Sequence, residues 1–152
     1  MTTTTTLAEL PGLVGQELGT SDWYEVTQEA VNQFADATND HQWIHVDVER
    51  TKAESPFGGP IAHGFMTLSL LVPLASGTYK ITDTKMGVNY GLNKVRFPAP
   101  VPVGSKVRAR VVLQECKQVP GGVQNTLAVT VEREGGDKPV CIAEWVTLAY
   151  GG

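Results

Sequence analysis

The sequence predicts an α+β domain in which a curved antiparallel sheet wraps around one long central helix. Three observations predict it. From Ile61 to Ala75 nearly every residue is apolar or small. A helix that is apolar all round must be covered on all sides, and this segment is too short to cross a bilayer and too long for an ordinary strand. Beyond Gly77 apolar residues recur at every second position in stretches separated by turn formers, as in an antiparallel meander. A chain of 152 residues with one such helix and one such sheet reads as a single domain over 1–152, without repeats.

The elements follow in order. "MTTTTTLAEL" lacks the basic start and apolar run of a signal peptide, and residues 1–10 read as a loosely ordered N-terminal segment. "DWYEV", Asp22 to Val26, is a short aromatic strand. Thr27 offers an N-cap and Glu29 a first-turn negative charge. Val31, Phe34, Ala35 and Thr38 then keep helical spacing, with Asn32, Gln33 and Asp36 facing outward. "ERTKAESPFGGP" is a short helical turn followed by a breaker-rich loop. In the apolar segment that comes next, Pro73 falls near the end, where a lost hydrogen bond matters least to the helix body. Met86 to Phe97 alternates, then shifts phase at Val95, which suggests a bulge. Val107, Ala109, Val111 and Leu113 share one face of the next strand; Lys106, Arg108 and Arg110 share the other. "PGG", Pro120 to Gly122, is a turn, Val123 to Val131 alternates again, and "PVCIAEWVTLAY" is the last strand.

Composition excludes several classes. Hydrophobic residues make up 41% and charged residues 18%, enough apolar material for a core and no case for disorder. A net charge of −4 argues against a partner that is read through its phosphate backbone, so no nucleic acid is expected. No apolar run reaches membrane-spanning length. Cys116 and Cys141 lie in apolar strands and read as buried thiols. These points together predict a soluble, cytoplasmic protein.

Chemistry concentrates in "TNDHQWIHVD", Thr38 to Asp47. Asp40 and His45 stand in a stretch without strand or helix pattern, just before the buried segment. Such a loop can bring a carboxylate and an imidazole into one small volume, one group taking a proton and the other giving it. Trp43 and Ile44 would anchor the loop and exclude water. A plainer reading makes Asp40 a turn former and His45 an exposed loop histidine. His63 and Gly64 are the second candidate, in the first turn of the apolar segment, where backbone N–H groups lack intrahelical partners and glycine permits a close approach. A carbonyl there would meet oriented donors suited to a developing oxyanion; the plainer reading is that Gly64 allows tight packing. A metal site built from His41, His45, His63 and an aspartate has no HExxH or cysteine-pair spacing behind it. Ser69 lacks the glycine-flanked elbow of a serine nucleophile. Lys94 with Arg96, or Arg108 with Arg110, read as solvated strand faces, either pair being able to meet a phosphate.

"FADATNDHQWIHVD", followed by "PFGGPIAHGFMTLSLL" and later by "NYGLNKVRFPAPVPVGSKV", resembles the MaoC-like family of (R)-specific enoyl-CoA hydratases, in particular its small single-domain bacterial members. The resemblance implies the hotdog fold, a curved sheet around a long helix, and homodimers with active sites at the interface. The family motif runs Gly-Asp, any residue, Asn-Pro, an aliphatic residue and His. Its two catalytic positions match as Asp40 and His45. The glycine, asparagine and proline are replaced by Asn39, Gln42 and Trp43. Gln42 would keep an amide bond that orients the loop, and Trp43 would reshape the acyl pocket. "IAHGF" matches the helix start, so Gly64 is implied as the backbone donor to the thioester carbonyl, with His63 beside it. The implied activity is a hydro-lyase interconverting trans-2-enoyl-CoA and (3R)-3-hydroxyacyl-CoA, without a metal or other cofactor. Two alternatives stand beside it: an acyl-CoA thioesterase of the same fold, and a non-catalytic acyl-CoA-binding subunit of a dehydratase complex.

Overall fold

The protein, seen as a computed structural model, is described over residues 2–152. Its elements run β1 (Thr3–Thr5), a 3-10 turn (Leu10–Leu13), β2 (Glu17–Thr20), β3 (Tyr24–Glu25), α1 (Gln28–Thr38), α2 (Trp43–Val46), α3 (Val48–Glu54), α4 (Gly64–Ser69), α5 (Leu71–Ala75), β4 (Tyr79–Ile81), β5 (Met86–Arg96), β6 (Lys106–Val119), β7 (Gly122–Arg133) and β8 (Cys141–Tyr150). The main sheet is antiparallel, ordered β2-β6-β7-β8-β5, with β3 also on β6. Long strands form where side chains alternate. Val107, Ala109, Val111 and Leu113 are all fully buried, and β6 continues past Gln114 to Val119 before the hairpin. Gly121, at φ +83°, takes the left-handed conformation that closes the turn into β7. The phase shift in β5 is a register shift between Leu92 and Lys94, with a second between Asn89 and Gly91. Arg108 and Arg110, on the partly exposed face of β6, both pair with Glu132.

The first ten residues depart from expectation, with Met1 outside the described residues. Thr3–Thr5 is a strand, paired in parallel with Tyr79–Ile81. Thr5 and Leu10 are buried, and Asp83 accepts the Leu7 N–H at 2.9 Å. A run of β-branched threonines is a good strand former; what the sequence hides is the distant partner strand.

α1 starts as its cap predicts, with Thr27 Oγ1 accepting the Ala30 N–H at 3.1 Å. Val31 and Ala35 are buried, whereas Thr38 is exposed and bonds back to the Phe34 carbonyl at 2.8 Å. The apolar segment is the larger correction. Its helix begins at Gly64, not Ile61, because the Ile61 N–H bonds the Ile44 carbonyl at 3.0 Å and the Ala62 N–H bonds the Val101 carbonyl at 2.8 Å. It also breaks at Leu70 into α4 and α5. Pro73 has no N–H for the carbonyl four residues back, Ser69, and that is where the helix is interrupted. Nor is it covered all round: Phe65 is 69% and Val72 49% exposed. The sheet covers one side, and the other stays open beside β5, nearly all of whose residues are exposed.

Candidate active site

The end of α1 sets the site. Asn39 closes the helix at φ 58°, the left-handed conformation that glycine and asparagine tolerate best. The chain turns there, with the Asp40 N–H bonding the Ala35 carbonyl at 3.0 Å. The following stretch is not irregular, as expected, but contains one helical turn, α2. Trp43 is its first residue, the place where proline is best tolerated in a helix. Its ring is capped by the Arg50 guanidinium at 4.1 Å. The Ile44 carbonyl holds the Ile61 N–H, so α2 is tied to the strand-like lead-in to α4.

Within this frame Asp40, His45 and His63 converge. Their donor atoms lie within 4.8 Å of one another. The expectation of an exposed loop histidine fails: His45 is 6% and His63 2% exposed. His45 Nδ1 lies 2.7 Å from the Ile61 carbonyl. A carbonyl only accepts, so Nδ1 carries the hydrogen and Nε2 keeps its lone pair. His63 Nε2 lies 3.0 Å from the Asp40 carbonyl and donates to it by the same logic. The two imidazoles stack with centroids 3.8 Å apart, and Phe34 flanks His63 at 4.9 Å. Burial holds the His45 pKa below its ordinary 6.5; the Ile61 carbonyl pulls it up, His63 pushes it further down, and Asp40 pulls it up. The Asp40 side chain is about half exposed (48%), with its Oδ2 4.0 Å from His63 Nε2.

The other candidates separate. His41 turns away to Asp36 at 2.8 Å, so it has no part in the convergence. An ion at Asp40, His45 and His63 would take the Nε2 of His63 only by breaking its bond to the Asp40 carbonyl. Gln42 contributes its backbone N–H to Asp40 Oδ1, a long contact of 3.4 Å, while its residue is exposed; the expected side-chain amide bond is not among the loop's contacts. Gly64 is the first residue of α4, and the Phe97 ring lies over it, 3.2 Å from where a Cβ would sit. Its plainer role, close packing, is therefore real and coexists with an N–H that has no intrahelical partner.

The MaoC like domain matches this sequence over residues 9–135, most of the chain. The chain belongs to the MaoC-like dehydratase family. As a member it is a hydro-lyase. Among similar proteins, 3-hydroxyacyl-thioester dehydratase Z of Mycobacterium tuberculosis is 56% identical over 145 residues, covering 95% of each chain. Nodulation protein N of Rhizobium leguminosarum is 53% identical, covering 93% of this chain and 89% of its own. Among solved structures, the (R)-hydratase from A. caviae superposes with a TM-score of 0.72 at 25% identity, over 88% of this chain and 94% of that one. An R-hydratase from Pseudomonas aeruginosa gives 0.77 at 22% identity, over 97% and 86%, a likeness in fold. The MaoC-like fold expected here, a hotdog, is thus the one observed. Sequence reasoning missed two supports of this MaoC-like site, the Ile61 carbonyl under His45 and the Phe34 ring beside His63. Neither has a sequence signal, since a backbone carbonyl and an apolar helix residue look like any others.

Proposed function

We propose that this protein is an (R)-specific enoyl-CoA hydratase, adding water reversibly and syn to a trans-2-enoyl-CoA to give the (3R)-3-hydroxyacyl-CoA. The observation that carries the reading is the locked tautomer of His45. With Nδ1–H spent on Ile61, Nε2 is left free on a ring that clusters with the Asp40 carboxyl, and a water held between the two would meet one base and one acid. His45 takes a proton from water as its oxygen bonds C3. Asp40 delivers a proton to C2, and the proton that His45 gained from water passes back to Asp40, so both groups end as they began. The Gly64 N–H receives the thioester oxygen as enolate charge develops. The reaction so written uses no metal or other cofactor. Water and proton arriving from one side of the enoyl plane give syn addition.

The reading includes a homodimer. Among the described residues β5 pairs only with β8, so its outer edge carries unpaired backbone groups. Met86, Val88, Tyr90 and Leu92 are exposed along it, beside Phe65 and Val72 of the helix. An edge of this kind is a template for another chain, and a second copy pairing antiparallel across a two-fold axis covers it. The cytoplasm, where CoA thioesters are made and used, is the compartment that suits this reading.

Incubation with crotonyl-CoA tests it. The expected result is loss of enoyl absorbance without free thiol, and a product that an (S)-specific 3-hydroxyacyl-CoA dehydrogenase does not oxidise. Release of free thiol would instead mean a thioesterase, and no change an acyl-CoA-binding subunit. Prompt NAD reduction would mean the (S) alcohol and would overturn the geometry assigned to Asp40, His45 and Gly64.

A further inference from the structure

One position in the middle of the sheet breaks the pattern that builds the core. β7 turns Val123, Asn125, Leu127, Val129 and Val131 to one face, and its four aliphatic members belong to the hydrophobic core. Asn125 sits among them, 1% exposed, between Cys116 of β6 and Thr147 of β8. A leucine or valine would continue the row. A buried amide at such a place is costly unless it is hydrogen-bonded, yet its Oδ1 has no partner in the protein.

Asn125 lines a cavity of about 530 Å³, a size typical of small-molecule sites. Much of the wall is apolar, from Val72, Ala75, Ile81, Trp145 and Leu148. Thr84 lines it too, and its buried hydroxyl is likewise without a partner. Two unsatisfied oxygens at a cavity of mixed apolar and polar lining describe a site for a chain that carries a polar group, rather than for a plain hydrocarbon.

None of Asp40, His45, His63 and Gly64 lines this cavity; it lies by the far end of the helix, at Val72, Ala75 and Ser76. Its rim includes Met86 to Asn89, the first part of β5, whereas Phe97, just past the end of β5, packs on Gly64. Antiparallel pairing of two β5 strands sets the first part of one beside the last part of the other. In such a dimer the cavity of one protomer adjoins the catalytic end of its partner.

We infer that the cavity receives the distal part of the acyl chain, and that Asn125, through its unpaired Oδ1 acceptor, selects chains bearing a hydroxyl group away from the thioester. This rests on the hydratase and dimer reading above. The test compares kcat/KM for medium-chain trans-2-enoyl-CoAs carrying one hydroxyl at successive distal positions with that for unsubstituted chains of equal length. Wild type should favour at least one hydroxylated chain by about tenfold or more, since a site built to bond a substrate hydroxyl discriminates against its absence. Asn125→Leu should lose that ratio and favour the plain chain. Using a ratio within each protein cancels any difference in folded fraction. Plain chains preferred by wild type at every position, or a ratio unmoved by the substitution, would overturn the inference. Should the leucine variant not fold, calorimetric binding of saturated acyl-CoAs with and without the distal hydroxyl to wild type makes the same decision. That binding also separates two failures: absent turnover of crotonyl-CoA, whose short chain stays at the thioester end, defeats the hydratase reading, whereas indifference to the distal hydroxyl defeats only this one.

Discussion

Replacing Gly64 by proline deletes one backbone N–H while sparing the helix that carries it. Gly64 is the first residue of α4, the position where proline is tolerated because its N–H has no intrahelical partner. His63 before it stands at φ −63°, ψ 139°, the extended conformation that a residue preceding proline prefers. The cost is steric. The new Cβ falls 3.2 Å from Phe97 Cδ2, tighter than ordinary contact, but Phe97 is 41% exposed and can give toward solvent. Gly64→Ala brings the same Cβ and keeps the N–H, so the difference between the two variants isolates the donor. Loss of one oxyanion donor typically costs ~10²–10³ in kcat. Crotonyl-CoA hydration should therefore fall in G64P by about that factor relative to G64A, with similar melting temperatures for the two. A G64P enzyme as fast as G64A would show that the N–H does not meet the thioester oxygen, leaving Gly64 as a packing residue only.

Asp40→Asn, which removes the carboxylate at nearly constant shape, should lower kcat by at least ~10²-fold with little change in thermal unfolding; near-normal turnover in the folded variant would remove Asp40 from the mechanism. In the proposed reaction His45 acts as the neutral imidazole, and burial holds its pKa below 6.5, so the acid limb of kcat/KM should fall below pH 6.5. The same depression means that the unfolded chain takes up this proton first, so stability should drop as pH falls from 6.5 toward the folded-state pKa, read by denaturant unfolding across that range. Light scattering should give a dimer or higher even oligomer, and Tyr90→Glu on the exposed outer strand should weaken it; an active monomer at assay concentration would contradict the pairing.

The parts of this fold that depend on local pattern were legible in the sequence. Thr27 caps α1 as its residue type demands, Val107 to Leu113 bury the predicted face, and the phase shift near Val95 is a true register shift. What was hidden depends on distant partners. The threonine run at the N-terminus becomes a strand only because Tyr79–Ile81 lies beside it. The apolar segment read as covered all round because composition cannot say what covers it; in the protomer, Phe65 and Val72 face outward. At the site, Asp40 and His45 stood out as residue types, but the helical turn between them did not. Trp43 in place of proline masked a helix start that the backbone still makes.

The stacked imidazoles also limit which roles the site can assign. His45 and His63 lie ring on ring, both buried, each with one nitrogen already donating to a backbone carbonyl. Burial pushes the His45 pKa down, and His63 beside it pushes it further the same way, which favours the neutral imidazole of His45. The second nitrogen of His63, Nδ1, is buried without a partner and is the wrong side of the ring to reach Asp40, which meets Nε2. That leaves His45 Nε2, whose ring donates through Nδ1 to Ile61, as the candidate base of the pair. In the proposed reaction a base at His45 needs a matching acid, and the carboxyl of Asp40 is the group that clusters with it. On that proposal His63 is a positioning residue: its N–H bonds the Asp40 backbone carbonyl and its ring stacks on His45.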